Sequence, residues 1–227
     1  MKGKINIGAI VIFYASAVLF RFLAVKTELL NGIGNEYWKI LLRGIGPAVG
    51  ALVVFSLYKI PKKLSLKGIY KNFALPFAVY WILPAILISA VYYFQDGKFP
   101  VVLMFTVLVY GLLEEVGWRG FLQQQLKPLP KIYSIIIISV LWFSWHLNFE
   151  MGTQNLVFFG IIFLGSWGIG KVYDKTKSLL AVAAIHSLNN FFRSGLHQTE
   201  LILIAVLLII WIGFILLYDR FDKKDQN

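Results

Sequence analysis

Three short polar clusters interrupt a chain that is otherwise largely hydrocarbon: Leu113-Glu114-Glu115-Val116-Gly117-Trp118-Arg119-Gly120, Trp142-Phe143-Ser144-Trp145-His146 and His186-Ser187-Leu188-Asn189-Asn190. Residues Val101 to Leu113 carry no charge, so two acids and an arginine arrive together after an apolar run. An ionisable residue at membrane depth is costly and marks a functional-site hypothesis by default. On a helix, Glu115 and Arg119 are four apart and share a face, which suits an ion pair that keeps both charges tolerable away from water. Glu114 is turned about 100° around the helix from Glu115 and lacks Arg119 as a close partner. The spacing therefore makes Glu115 and Arg119 a supporting pin and Glu114 the working carboxylate, a candidate general base.

Two further groups are brought up to it. The turn Lys127-Pro128-Leu129-Pro130-Lys131 joins two apolar segments, with Glu114 fifteen residues before Leu129 and His146 seventeen after it. Antiparallel helices of equal rise put such residues at nearly the same depth. His186 lies about three turns into a later apolar segment, and Asn190 follows one turn on along the same face. Glu with His suits the activation of a water, and His with Asn suits the stabilisation of an oxyanion. Glu114, His146 and His186 also form a candidate zinc set, two histidines and one carboxylate with an open position. Peptide-bond hydrolysis fits either version, and the spacing does not choose between them. Ser144 and Ser187 neighbour the histidines in sequence but do not face them on a helix. The bland readings stand beside these. An intramembrane His is often an interhelical hydrogen bonder, Glu115–Arg119 alone reads as packing, and Trp142 and Trp145 read as core or interfacial aromatics. His197 reads as a solvated loop residue. Glu150, four after His146, either orients that imidazole or marks the end of its helix.

The elements that must position these groups are helices in a membrane. Of 227 residues, 59% are hydrophobic and 15% charged, against roughly half and a quarter in soluble domains. The expected fold is all-α, with eight transmembrane helices at about 5–25, 38–58, 73–94, 99–124, 132–149, 156–173, 179–195 and 201–218. Residues 1–227 read as a single integral membrane domain with the motif-bearing core at about 99–193. Alternating segments of a β-barrel do not occur. Ala15-Ser16-Ala17 resembles a signal-peptidase site, but the apolar run continues past it to Val25, so an uncleaved first helix is expected. With the N-terminus cytoplasmic, sixteen of the 22 Lys and Arg fall on the inside, which places both termini in the cytoplasm. The net charge of +11 follows from the same bias, and with no compact basic domain it excludes nucleic acid as a partner. The chain has no cysteine, so disulfides, thiolate metal sites and a cysteine nucleophile are excluded.

Smaller signals concern packing. Gly44, Gly46 and Gly50 read as close helix contacts with Pro47 as a kink, and Pro76 and Pro84 as bends in the third segment. Leu64-Ser65-Leu66-Lys67-Gly68-Ile69-Tyr70, in the basic stretch Lys59–Lys71, reads either as a short amphipathic helix on an anionic leaflet or as a solvated connector.

The three clusters resemble the CPBP family, the CAAX prenyl endopeptidases and bacteriocin-processing (Abi) proteins. Its pattern is Glu-Glu-x-x-x-Arg, then Phe-x-x-x-His, then His-x-x-x-Asn on separate late helices. Glu114, Glu115 and Arg119 match the first, His146 the second with Trp142 in place of Phe, and His186 with Asn190 the third. The resemblance implies a multi-pass cell-membrane endopeptidase. Glu114 and His146 would activate water, His186 and Asn190 would hold the oxyanion, and Glu115 and Arg119 would support them. Its small members serve in bacteriocin self-immunity or peptide maturation, which implies membrane lipids and a hydrophobic or membrane-associated peptide as partners. Two competing functions share the same residues. A non-catalytic immunity or binding protein would use the cluster for recognition, and a proton-coupled carrier would use it as a relay, although no inverted repeat supports the latter.

Overall fold

The computed structural model describes residues 4–62, 64–69, 73–150, 152–191 and 198–224, and among these the regular structure is all helical, with no strand. The helices are α1 (Ile7–Lys26), α2 (Glu36–Gly44), α3 (Gly46–Leu57), α4 (Ala74–Asp96), α5 (Val101–Gln125), α6 (Lys131–Trp145), α7 (Thr153–Thr176), α8 (Leu179–Phe191) and α9 (Gln198–Lys224). Each of the eight apolar segments holds helix, with α2 and α3 sharing one. By length and composition, α1, α4, α5 and α7 suffice to cross a membrane, and the α2–α3 pair, bent by 43°, makes a fifth. Helix α6 has 15 residues, about 22 Å, and falls short of a bilayer core of roughly 30 Å.

The breaks have identifiable causes. Pro47 sits in the first turn of α3, where its missing N–H costs nothing, and the chain bends just before it. In α4, residues Ala78–Ile82 form a π-helical turn directly before Pro84. A proline cannot donate to the carbonyl four residues back and its ring crowds that carbonyl, so a widened turn accommodates it. In α5, Val116–Leu122 form a second π-helical turn, immediately after the paired glutamates.

Small residues set the spacing. A Cβ on Gly44 would fall 2.5 Å from the Tyr110 ring, and one on Gly46 or Gly50 would fall 2.5 Å from the carbonyl of Ala17 or Phe13. These glycines let α1, α2, α3 and α5 approach closely, as their spacing predicts. Helix α8 is the axis of the bundle. Its Ala181, Val182, Ala183, Ala184 and Ser187 are fully buried, and it packs most extensively on α5. Large apolar side chains point outward instead, Ile7, Leu156 and Ile209 among them, as expected where the surroundings are lipid tails rather than water.

The basic stretch after α3 is a connector and not a short helix: among its described residues, Leu64–Ile69 form no helix, and Ser65, Leu66, Lys67 and Ile69 are exposed. Its backbone is nonetheless tied down. The Ser65 and Leu66 carbonyls accept from Leu179 N–H (2.9 Å) and Leu180 N–H (3.1 Å), and Ile69 N–H donates to the Thr176 carbonyl at 2.8 Å. This strap satisfies the orphan donors at the start of α8. Gly68, at φ +63°, makes the turn in it, where a side chain would strike the Thr176 carbonyl.

Candidate active site

Glu114 and Glu115 end the regular part of α5, Arg119 lies in the π-helical turn that follows, and all three are buried. The turn is held against α3 by Gly117, whose absent Cβ leaves room for Pro47 at 2.5 Å. π-helical turns recur at functional sites because they re-aim side chains within an otherwise regular helix.

Glu115 is the hub. Its Oε2 is 3.3 Å from Arg119 Nε, and its Oε1 is 2.6 Å from His186 Nδ1. Arg119 continues the chain of contacts, with Nη2 donating to the Gly165 carbonyl of α7 at 3.3 Å and its guanidinium 5.0 Å from the Trp142 ring. The pin therefore ties α5 to α7 and α8. Desolvating a carboxylate and a guanidinium is expensive, and a third polar partner on each side is what makes the burial tolerable.

Glu114 has a different environment. Its Oε2 accepts from two indole N–H groups, Trp142 at 2.8 Å and Trp118 at 3.2 Å, and lies 3.8 Å from His186 Nε2. The Tyr110 hydroxyl, one turn earlier on α5, also reaches toward this carboxylate. Its Oε1 is buried with no donor in hydrogen-bonding geometry. One oxygen is thus fixed while the other presents a free acceptor.

The two histidines are held by different means. His146 follows the last residue of α6, one residue past the helix rather than inside it. Its Nδ1 is 2.8 Å from the Trp142 carbonyl. A carbonyl only accepts, so Nδ1 carries the proton and Nε2 carries the lone pair. Glu150 is exposed and does not orient this ring; its region is organised by Asn148 and Asn155, whose amide donates to the Glu150 carbonyl at 2.6 Å. His186 is buried on α8, its ring 5.0 Å from Trp142 and 6.4 Å from Tyr110. Asn190 is half-buried one turn further along α8. His197 lies outside the described residues.

The sequence reasoning missed the tryptophans and one arginine. Trp142 is a core aromatic, as expected, but it also donates its indole N–H to Glu114, and Trp118 is its partner in this. The signal was present, since Trp118 follows Glu114 at the same four-residue spacing that pairs Glu115 with Arg119. Trp145 does belong to the core, with its indole donating to the Ala17 carbonyl at 3.0 Å. Arg21 of α1 lies over the Trp145 ring at 4.5 Å and donates to the Arg43 carbonyl at 2.9 Å, tying α1 to α2 beside the cluster.

Among the described residues, no three His, Asp or Glu groups are arranged to hold an ion. Glu114 Oε2 accepts from the two indoles, while the Nδ1 atoms of His146 and His186 face the Trp142 carbonyl and Glu115.

Residues 96–192 match the family model described as type II CAAX prenyl endopeptidase Rce1-like. No curated protein matches the chain.

Proposed function

We propose that this chain is a CPBP-family membrane protease, a reading supported by the match of residues 96–192 to the Rce1-like family model, and that it hydrolyses a peptide bond of a hydrophobic or membrane-associated peptide with a water activated by Glu114 and His146. The observation that carries the reading is the asymmetry of the Glu114 carboxylate. Two indoles hold Oε2, while Oε1 is buried and open to a water hydrogen. A base fixed at one oxygen has a defined direction of attack and loses little freedom on reaching the transition state.

His146, with its proton on Nδ1, offers Nε2 as a second acceptor for the same water or as the proton carrier to the leaving amine. His186 donates Nδ1–H to Glu115, so its Nε2 donates to an oxyanion in the imidazolium form. Asn190 supplies a second oxyanion donor from the next turn. Glu115 and Arg119 touch no reacting atom and act by positioning His186 and the end of α5. Activation is metal-free in this reading, with Oε1 of Glu114 taking the water proton. The eight helical segments all span the cell membrane with both termini cytoplasmic, the short α6 and α8 being sheltered by their neighbours. The cellular setting is bacteriocin self-immunity or peptide maturation.

The test is cleavage of a library of quenched hydrophobic and lipidated peptides by the purified protein in liposomes. Wild type cleaves and Glu114→Gln does not, and a chelator leaves the wild-type rate unchanged. Cleavage that vanishes with chelator and returns with zinc would overturn the metal-free assignment. A Glu114→Gln protein that still protects cells while cleaving nothing would transfer the function to peptide binding.

A further inference from the structure

A cavity outside the candidate active site has a volume of about 280 Å³. It opens between the turn that joins α5 to α6, the first turns of α6 and the last turns of α7, and its walls are of two kinds. Leu129, Ile135, Ile138 and Trp167 form an apolar side, and Gln123, Ser134 and Ser166 form a polar floor. The mouth carries Lys127, Lys131 and Lys177 against one acid, Asp174. That carboxylate is shared, 3.5 Å from Lys131 Nζ and 3.6 Å from Lys177 Nζ, and it also accepts from Gln123 Nε2 at 3.1 Å. The exposed Lys127 forms no ion pair with a carboxylate among the described residues. Three ammonium groups and one carboxylate leave the mouth with an excess of positive charge.

Two buried polar atoms of the floor have no hydrogen-bond partner among the described residues. Ser166 is 2% exposed and its Oγ has no hydrogen-bond partner, and Gln123 Oε1 has none either. Buried polar groups are normally satisfied, so each leaves a hydrogen bond for an occupant to complete. Burial lowers the Lys177 ammonium from its ordinary pKa; Asp174 opposes that shift while Lys127 and Lys131 add to it. An anion at the mouth would relieve the repulsion.

We propose that this cavity binds the anionic headgroup of a membrane phospholipid. The lysines take the phosphate, Ser166 and Gln123 hydrogen-bond the polar headgroup, and an acyl chain leaves along Ile135, Ile138 and Trp167. The volume sits at the lower edge of small-ligand pockets, roughly 300 Å³ and upward, which suits a headgroup and not a whole lipid. The apolar side distinguishes a lipid from a free phosphate. It continues into the outward-facing Ile132 and Ile136 of α6 and Leu164 of α7, the surface on which lipid tails lie. The occupant would rest on Ser166, next to the Gly165 carbonyl that receives Arg119.

The experiment is native mass spectrometry of the full chain in detergent, titrated with phosphatidylglycerol or phosphatidylcholine, with inorganic phosphate as competitor. The expected result is one phosphatidylglycerol held through mild activation, with phosphatidylcholine bound far more weakly. Lys127→Gln with Lys131→Gln weakens it by about thirtyfold. Ser166→Leu, which fills the floor, removes it with an unchanged melting midpoint. Lys62→Gln with Lys67→Gln, on the separate basic strap, leaves it intact. Equal affinity for the two lipids, or equal loss in the strap variant, would make this generic surface charge and overturn the site. Displacement by millimolar phosphate would replace the lipid with a free anion and overturn the lipid assignment.

Discussion

The same arrangement, a carboxylate between two basic side chains, occurs twice in the region from α5 to α8 with opposite consequences. At the centre, Glu115 lies between Arg119 and His186, with every side chain no more than 4% exposed. At the end of the bundle, Asp174 lies between Lys131 and Lys177, with side chains 39% to 59% exposed. The inner contacts are shorter, 2.6 and 3.3 Å against 3.5 and 3.6 Å, as expected where no water competes for the groups. The outer set tolerates an unmatched Lys127 because water and lipid headgroups can complete it. Burial, and not residue type, separates a structural pin from an adaptable rim.

The sharpest way to break this contrast is to remove one cation from each. Arg119→Gln leaves Glu115 buried with only His186, and breaking a buried pair costs about 3–5 kcal/mol. The expected outcome is a large fall in the melting midpoint in detergent, or loss of folded protein. Next is Trp142→Phe, which deletes a hydrogen bond to a buried carboxylate worth about 1.5–3 kcal/mol. Cleavage should fall by about ten- to a hundredfold with the fold retained, and Trp118→Phe, at the longer 3.2 Å contact, should lose less. Gly117→Ala pushes a methyl into Pro47 and should cost about 1–3 kcal/mol by overpacking, read as a lower midpoint. The smallest effect belongs to Lys131→Gln, whose pair with Asp174 is solvent-screened and contributes at most about 1 kcal/mol. A Lys131 variant as unstable as the Arg119 variant would erase the distinction.

Much of the site was legible because helical spacing is a strong constraint. Four-residue spacing gives Glu115 with Arg119, and the same rule applied to tryptophan would have found Trp118 beneath Glu114. Aromatic residues in an apolar chain read as packing, however, and only coordinates show an indole N–H turned to a carboxylate. The equal-depth argument placed α5 and α6 as neighbours, yet α6 stops at Trp145 and leaves His146 on its terminus. The π-helical turn at Val116–Leu122 has no distinctive residue pattern, since its widening answers the packing of Gly117 on Pro47 in a distant helix. The strap at Leu64–Ile69 was illegible for the same reason, as its hydrogen bonds run to residues more than a hundred positions away.

The most direct measurement is the single-turnover cleavage rate in liposomes for Glu114→Gln beside Glu115→Gln, each with its melting midpoint. Loss of a positioned general base lowers a rate by about 10²- to 10⁴-fold. Glu114→Gln should show that loss with a near-normal midpoint, whereas Glu115→Gln should lose stability first and activity as a consequence. Retained cleavage by a folded Glu114→Gln protein would contradict the assignment of Glu114 as the base.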